Sequence, residues 1–242
     1  MTALLVFLVA LVYSSVGHGG ASGYLAVLSL MGSTPSDMIP SALCLNLLVS
    51  GTAFVSYWRA GHFDGKLLWP FALSSIPASY LGGMARIPPQ AYGWLLGAAL
   101  LVAAWRLAGI SNGTVPGTLR PPPGFRAALP IGAGIGLLSG ILGIGGGIFL
   151  SPILLLSRWA DAKKTAAVSA GFIWLNSLSA FAAHARVGTL DLAQWVPYVI
   201  AAFMGGWLGS AAGARYFNGL VLRRLLAVVL VVAAVKLMGQ GI

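Results

Sequence analysis

Two apolar stretches of this chain are each cut at the same relative place by a run of glycines, and no other feature limits its fold so sharply. The first run is Gly17-His18-Gly19-Gly20, inside residues 2–31. The second is Gly143-Ile144-Gly145-Gly146-Gly147, inside residues 127–157. Glycine weakens a helix and admits backbone angles that other residues avoid. In hydrocarbon, the peptide groups freed by such a break survive only where protein or a cavity shields them. Matched breaks in matched halves are the best pointer that sequence offers to a membrane transporter's binding site.

Composition makes hydrocarbon the relevant solvent. Apolar residues are 58% of the chain and charged residues 7%, against about 25% charged in average soluble chains. The expected fold is an all-α polytopic membrane protein. The net charge of +10 does not point to nucleic acid, because the basic residues stand singly at the ends of apolar segments. There they orient spans and meet anionic headgroups of the lipid bilayer. The four acids, Asp37, Asp64, Asp161 and Asp191, all fall near expected loops, so no carboxylate is placed mid-span. The single Cys44 excludes an internal disulfide. No metal-ligand spacing or Walker loop occurs, so neither a cofactor nor an enzyme is expected. A serine nucleophile would have only His18 as its base, beside Ser14 and Ser15. The N-terminal stretch lacks a basic n-region and reads as structure.

The chain repeats at an offset of 126 to 127 residues, from the Gly17/Gly143 and Pro70/Pro197 matches. Gly61-x-x-Asp64-x5-Pro70 aligns with Gly188-x-x-Asp191-x5-Pro197, and Leu81-Gly82 with Leu208-Gly209. Asn46 and Asn176 correspond if a short gap is allowed. The first repeat covers residues 1–110 and the second 127–242, joined by a polar, proline-rich connector at 111–126. Each repeat opens with its glycine-broken segment. Three apolar stretches follow, at 39–58, 67–85 and 91–109, then 164–184, 192–213 and 220–238. Each is near the ~20 residues that cross a bilayer.

Residues 2–31 as one helix would be about 45 Å long, too long for a ~30 Å core without strong tilt. Each break therefore makes either one long span or a re-entrant hairpin. With eight spans the 14 Lys and Arg residues divide evenly between the two faces. With two hairpins and six spans, only Arg86, Arg186 and Lys236 oppose the rest. That bias is the one a real topology carries. The halves are then inverted, both termini lie outside the cytoplasm, and the glycine tips meet near the midplane.

Re-entrant tips expose peptide N–H groups and bring the positive ends of helix dipoles to membrane depth. Glycine-rich turns also form anion-binding nests. A small oxyanion suits donors without fixed negative charge. The candidate contacts are Gly17, His18, Gly19, Gly20 and Ser22 in the first copy, with Asn46 on the following span. In the second they are Gly143, Gly145, Gly146 and Gly147, with Asn176 on the following span. Hydroxyls of Ser14, Ser15 and Ser139 are near enough to add donors. The bland alternative is that the glycines only permit close packing, and it is the reading given to the stripes Gly132/Gly136/Gly140 and Gly205/Gly209/Gly213. The two asparagines are either ligand groups or interhelical glue. His18 is either a carrier of a coupling proton or a neutral ring bonded within its knot.

At these same residues the sequence resembles the sulfite exporter TauE/SafE family of membrane transporters, over nearly the whole chain. Leu142-Gly143-Ile144-Gly145-Gly146-Gly147-Ile148-Phe149-Leu150-Ser151-Pro152 is close to the family pattern. The first copy departs from it, with His18 at the variable place, Ala21 for the last glycine and Ala26 for the proline. The resemblance implies movement of sulfite, sulfonates or other small sulfur oxyanions across a bacterial cytoplasmic membrane, with export expected. An aquaporin-like channel built from two half-helices is the alternative.

Overall fold

The computed structural model describes residues 2–30, 35–85, 119–184 and 192–217, with isolated positions at 88, 94, 101, 224, 228, 231 and 235. The stretches predicted at 91–109 and 220–238 lie outside the described residues. Eight helices are described: α1 (Thr2–Ser15), α2 (Ala21–Leu30), α3 (Pro35–Arg59), α4 (Gly65–Met84), α5 (Phe125–Leu142), α6 (Gly147–Leu156), α7 (Ala162–His184) and α8 (Leu192–Arg215). Among the described residues, four segments are long and apolar enough to cross a membrane: Ile39–Arg59, Phe125–Leu142, Ala162–His184 and Trp195–Arg215. The protein is a multi-pass, all-helical membrane protein. Helix α5 takes in Phe125 and Arg126, expected in the connector, because the chain is free to turn helical once past Gly124.

Two aspartates start helices. Asp64 accepts from the Lys66 and Leu67 amides at 3.0 and 3.3 Å, and Asp161 accepts from the Lys164 amide at 2.8 Å. Both cap orphan donors of a first turn. Lys164 Nζ then reaches Asp64 Oδ2 at 3.3 Å and ties the start of α4 to the start of α7.

Glycine stripes set the closest helix contacts. On α8, Gly205, Gly209 and Gly213 lie directly on the carbonyls of Phe7, Leu11 and Ser15 of α1. On α5, Gly132, Gly136 and Gly140 lie on the carbonyls of Phe71, Ser75 and Ser79 of α4. A stripe without side chains lets two backbones touch, which is how helices associate where lipid removes the hydrophobic drive. The two interfaces are built alike: Gly209 meets the Leu11 carbonyl, and Gly82 meets that of Leu137. Each half thus lends its first arm to the other.

Helix directions follow from the same contacts. Helix α1 runs with α8, and α5 with α4, because contact numbers rise together. Ser56 pairs with Ser210 at 2.8 Å and Thr52 lies on Gly206, so α3 also runs with α8. Helix α7 runs with α4, through Lys164–Asp64, Ser179–Ile76 and Ala183–Gly83. Helices α3 and α7 oppose each other: Asn46 meets Ser177, Gly51 meets Trp174, and Phe54 meets Gly171. So α1, α3 and α8 point one way while α4, α5 and α7 point the other.

Candidate functional site

Both knots begin with the same helix-ending device. Gly17, at φ +77°, donates to the Ser14 carbonyl at 3.0 Å while His18 N donates to Tyr13 O at 2.9 Å. Gly143, at φ +67°, closes on Ser139 O, and Ile144 N reaches the same carbonyl at 3.2 Å. A left-handed glycine just past the last turn satisfies the orphan carbonyls of a helix end. A second left-handed glycine, Gly20 at φ +94° or Gly146 at φ +78°, then launches the next helix.

The first knot doubles back. A methyl at Gly23 would touch the side chains of Val9 and Tyr13. Along one continuous helix, Gly23 would lie about 21 Å from Val9. At the second knot, Gly146 sits against Ile135 and Ser139. Residues from Tyr13 to Ser22, and from Leu142 to Ile148, are all buried.

The knots dock crosswise on α3 and α7. Gly17 presses on the Ala166 carbonyl of α7, and Gly143 presses on Ile39 of α3. Ile39 and Ala166 are themselves repeat mates, so the docking is reciprocal. One side chain touches both knots. The Asn46 Oδ1 accepts from Ala21 N at 3.0 Å, capping α2, and its carboxamide packs on Gly19. The Asn46 Nδ2 donates to Ser177 Oγ at 2.7 Å, and both atoms stand over Gly145. His18 completes the join: Nδ1 lies 3.1 Å from Val16 O and Nε2 3.4 Å from Ser151 Oγ on α6. A carbonyl only accepts, so the Val16 contact is made by a ring that carries a proton on Nδ1. Ser151 in turn bonds Ser169 of α7 at 2.7 Å.

Of the residues singled out from sequence, Gly17, His18, Gly19, Gly20, Asn46, Gly143, Gly145, Gly146 and Gly147 gather around this crossing. Ser22 faces back to Tyr13 at 3.0 Å. Asn176 does not join them. Its Nδ2 donates to Phe172 O at 2.8 Å, and its Oδ1 accepts from Ser75 on α4. It is glue between α4 and α7. The position that matches Asn46 in space is Ile173, which packs on Gly145 and Gly147. Ser151, Ser169 and Ser177 were not singled out. Their signal is a small polar residue at helical spacing on spans that face a glycine turn.

As an expected result, Asn46→Ala lowers detergent-solubilised stability by about 1–2 kcal/mol, through loss of a helix cap and a buried partner. Adding Ser177→Ala should cost little more, because the two side chains share one bond. Fully additive losses in thermal melting would show that they act apart.

The crossing thus gathers a capped helix start, glycine turns and small polar groups among apolar helices. The family sequence model described as Sulfite exporter TauE/SafE matches residues 2–237. The chain belongs to that family. It is 37% identical over 239 residues to the "Probable membrane transporter protein y4hK" of Sinorhizobium fredii (strain NBRC 101917 / NGR234), covering 98% of this chain and 96% of that one. It is 29% identical over 111 residues to the "Probable membrane transporter protein YunE" of Bacillus subtilis (strain 168), covering 45% and 39% respectively. No solved structure matches.

Proposed function

We propose that this transporter carries a small oxyanion, sulfite or an organosulfonate, held at the glycine turns and moved outward across a bacterial inner membrane by alternating access. The carrying observation is the convergence on Asn46 of two interrupted segments, each opening a new helix at the crossing. Helix starts present free N–H groups and partial positive charge, which suit an anion. The described acids Asp64 and Asp161 sit at helix starts, where they cap first-turn amides. Cargo and direction come from the family's name.

The opposed directions of repeat mates support two inverted repeats. Because α1 and α3 run the same way with α2 doubling back between them, each hairpin enters and leaves by one face. The charge distribution then puts both termini outside the cytoplasm. Burial of both knots in this conformation suits a carrier that occludes its cargo better than a standing pore. His18, hydrogen-bonded across the two knots, is the group placed to couple a proton to this motion.

Purified protein in liposomes should show saturable sulfite counterflow. Currents or osmotic permeation without counterflow would establish a channel instead. His18→Gln should flatten the pH dependence of the flux; an unchanged profile removes His18 from coupling.

A further inference from the structure

Where lipid surrounds helices, close backbone contact and interhelical hydrogen bonds hold them together, since apolar burial gains little there. Both kinds of contact are unevenly spread through this bundle. Helices α1, α2, α3 and α8 are stitched to one another. Tyr57 Oη donates to Ser15 O at 2.6 Å, Ser56 meets Ser210 at 2.8 Å, and Asn46 caps α2. Helices α4, α5, α6 and α7 are stitched likewise. Ser74 donates to Leu129 O at 2.7 Å, Ser79 to Asn176 O at 3.1 Å and Ser151 to Ser169 at 2.7 Å. The Lys164–Asp64 ion pair belongs to this second group. Each group also holds one glycine stripe laid on backbone carbonyls, α8 on α1 in the first and α5 on α4 in the second.

Between the groups the pattern changes. Among the described residues, the hydrogen bonds that join them run from Asn46 to Ser177, and from His18 to Ser151 and the Gly147 backbone. All lie at the knots. Farther along, α3 and α7 meet through rings set on glycines. Trp174 Nε1 is 3.3 Å from where a methyl on Gly51 would stand, and the Phe54 ring is 3.1 Å from the same point on Gly171. Phe54 is about 12 Å along α3 from Asn46. The groups also cut across the order of the chain, for α4 sits with the later helices α5, α6 and α7, and α8 with the earlier α1, α2 and α3.

We propose that α1, α2, α3 and α8 move as one body against α4, α5, α6 and α7, rocking about the bonds at the knots while the rest of the α3–α7 contact parts and closes. This rests on the alternating-access reading given above. Bonded contacts keep each body rigid, and the unbonded stretch of the interface is the one that separates at least cost. A cargo held at the glycine turns then stays at the fulcrum, and opening of one end of the interface or the other presents it to either face in turn.

The test bridges chosen helix pairs with dibromobimane, whose thioether links sulfite does not cleave, in the full chain carrying Cys44→Ser and reconstituted in liposomes. Phe54→Cys with Gly171→Cys places the bridge between the bodies, and Ser56→Cys with Ser210→Cys places it inside one. Bridging the first pair should lower sulfite counterflow about tenfold or more against the same variant unbridged, because opening is then blocked. Bridging the second pair should leave counterflow at its unbridged level. Should the first pair fail to fold, Gly51→Cys with Trp174→Cys spans the same interface. Undiminished counterflow across a bridge between the bodies, or an equal loss from the bridge inside one, overturns the two-body assignment and leaves alternating access standing. Wild type that gives no counterflow of sulfite, sulfate or taurine overturns both.

Discussion

Gly145→Ala should abolish measurable sulfite binding and transport while the protein still inserts in the membrane. Two effects combine at this position. Gly145 has φ +73°, where a side chain costs about 1–2 kcal/mol. Its methyl would also stand 2.6 Å from Ser177 Oγ and 2.7 Å from both Asn46 Nδ2 and Ile173 Cγ2. The first two atoms form the hydrogen bond that joins α3 to α7 over the turn, so relief of the clash must pull the crossing apart. Gly61→Ala separates the two effects, since Gly61 has φ +81° with nothing within 4 Å. It should show the conformational cost alone and transport normally. Binding in Gly145→Ala at the level of Gly61→Ala would remove the second knot from the site.

The second large effect is on folding. Gly209→Val should cost about 3 kcal/mol or more, at or beyond the upper end of ordinary overpacking. The neighbour of Gly209 is backbone, the Leu11 carbonyl, with Ser14 Oγ beside it. A carbonyl on a helix cannot rotate away as a side chain does, so α1 and α8 have to separate along their length. Gly134, on α5, has nothing within 4 Å. There, Gly134→Ala should stabilise by about 0.5–1 kcal/mol through helix propensity. Thermal melting in one detergent compares the pair. A Gly209→Val protein that melts with wild type would mean that the α1–α8 contact is not close.

Much of this arrangement could be read from the chain because lipid leaves few options. Apolar stretches of bilayer length had to be helices, and glycine runs had to break them. What could not be read was the choice of neighbour. Nothing local says that the arm preceding Gly17 packs on Gly205, Gly209 and Gly213 of the opposite half. That pairing depends on which backbone surfaces fit once both halves are present. The asparagines show a subtler failure. Matching Asn46 to Asn176 follows chemical likeness, but the docking of Gly143 on Ile39 and of Gly17 on Ala166 gives a local offset of 127 and leads to Ile173. A displacement of three residues on a helix turns a side chain by roughly 60°. It takes Asn176 off the knots and onto α4, while Ser177, one residue on, comes within reach.

The exchanged arms also bear on how the polypeptide is made. Phe7 touches Gly205, so α1 meets its main partner only after the intervening residues 8–204 have been made. At ordinary elongation rates that wait is on the order of tens of seconds. Helix α1 has 14 residues, about 21 Å, less than a bilayer's hydrocarbon depth. The nascent arm therefore depends on the insertion machinery, or on its own folded-back turn, until α8 arrives to clasp it.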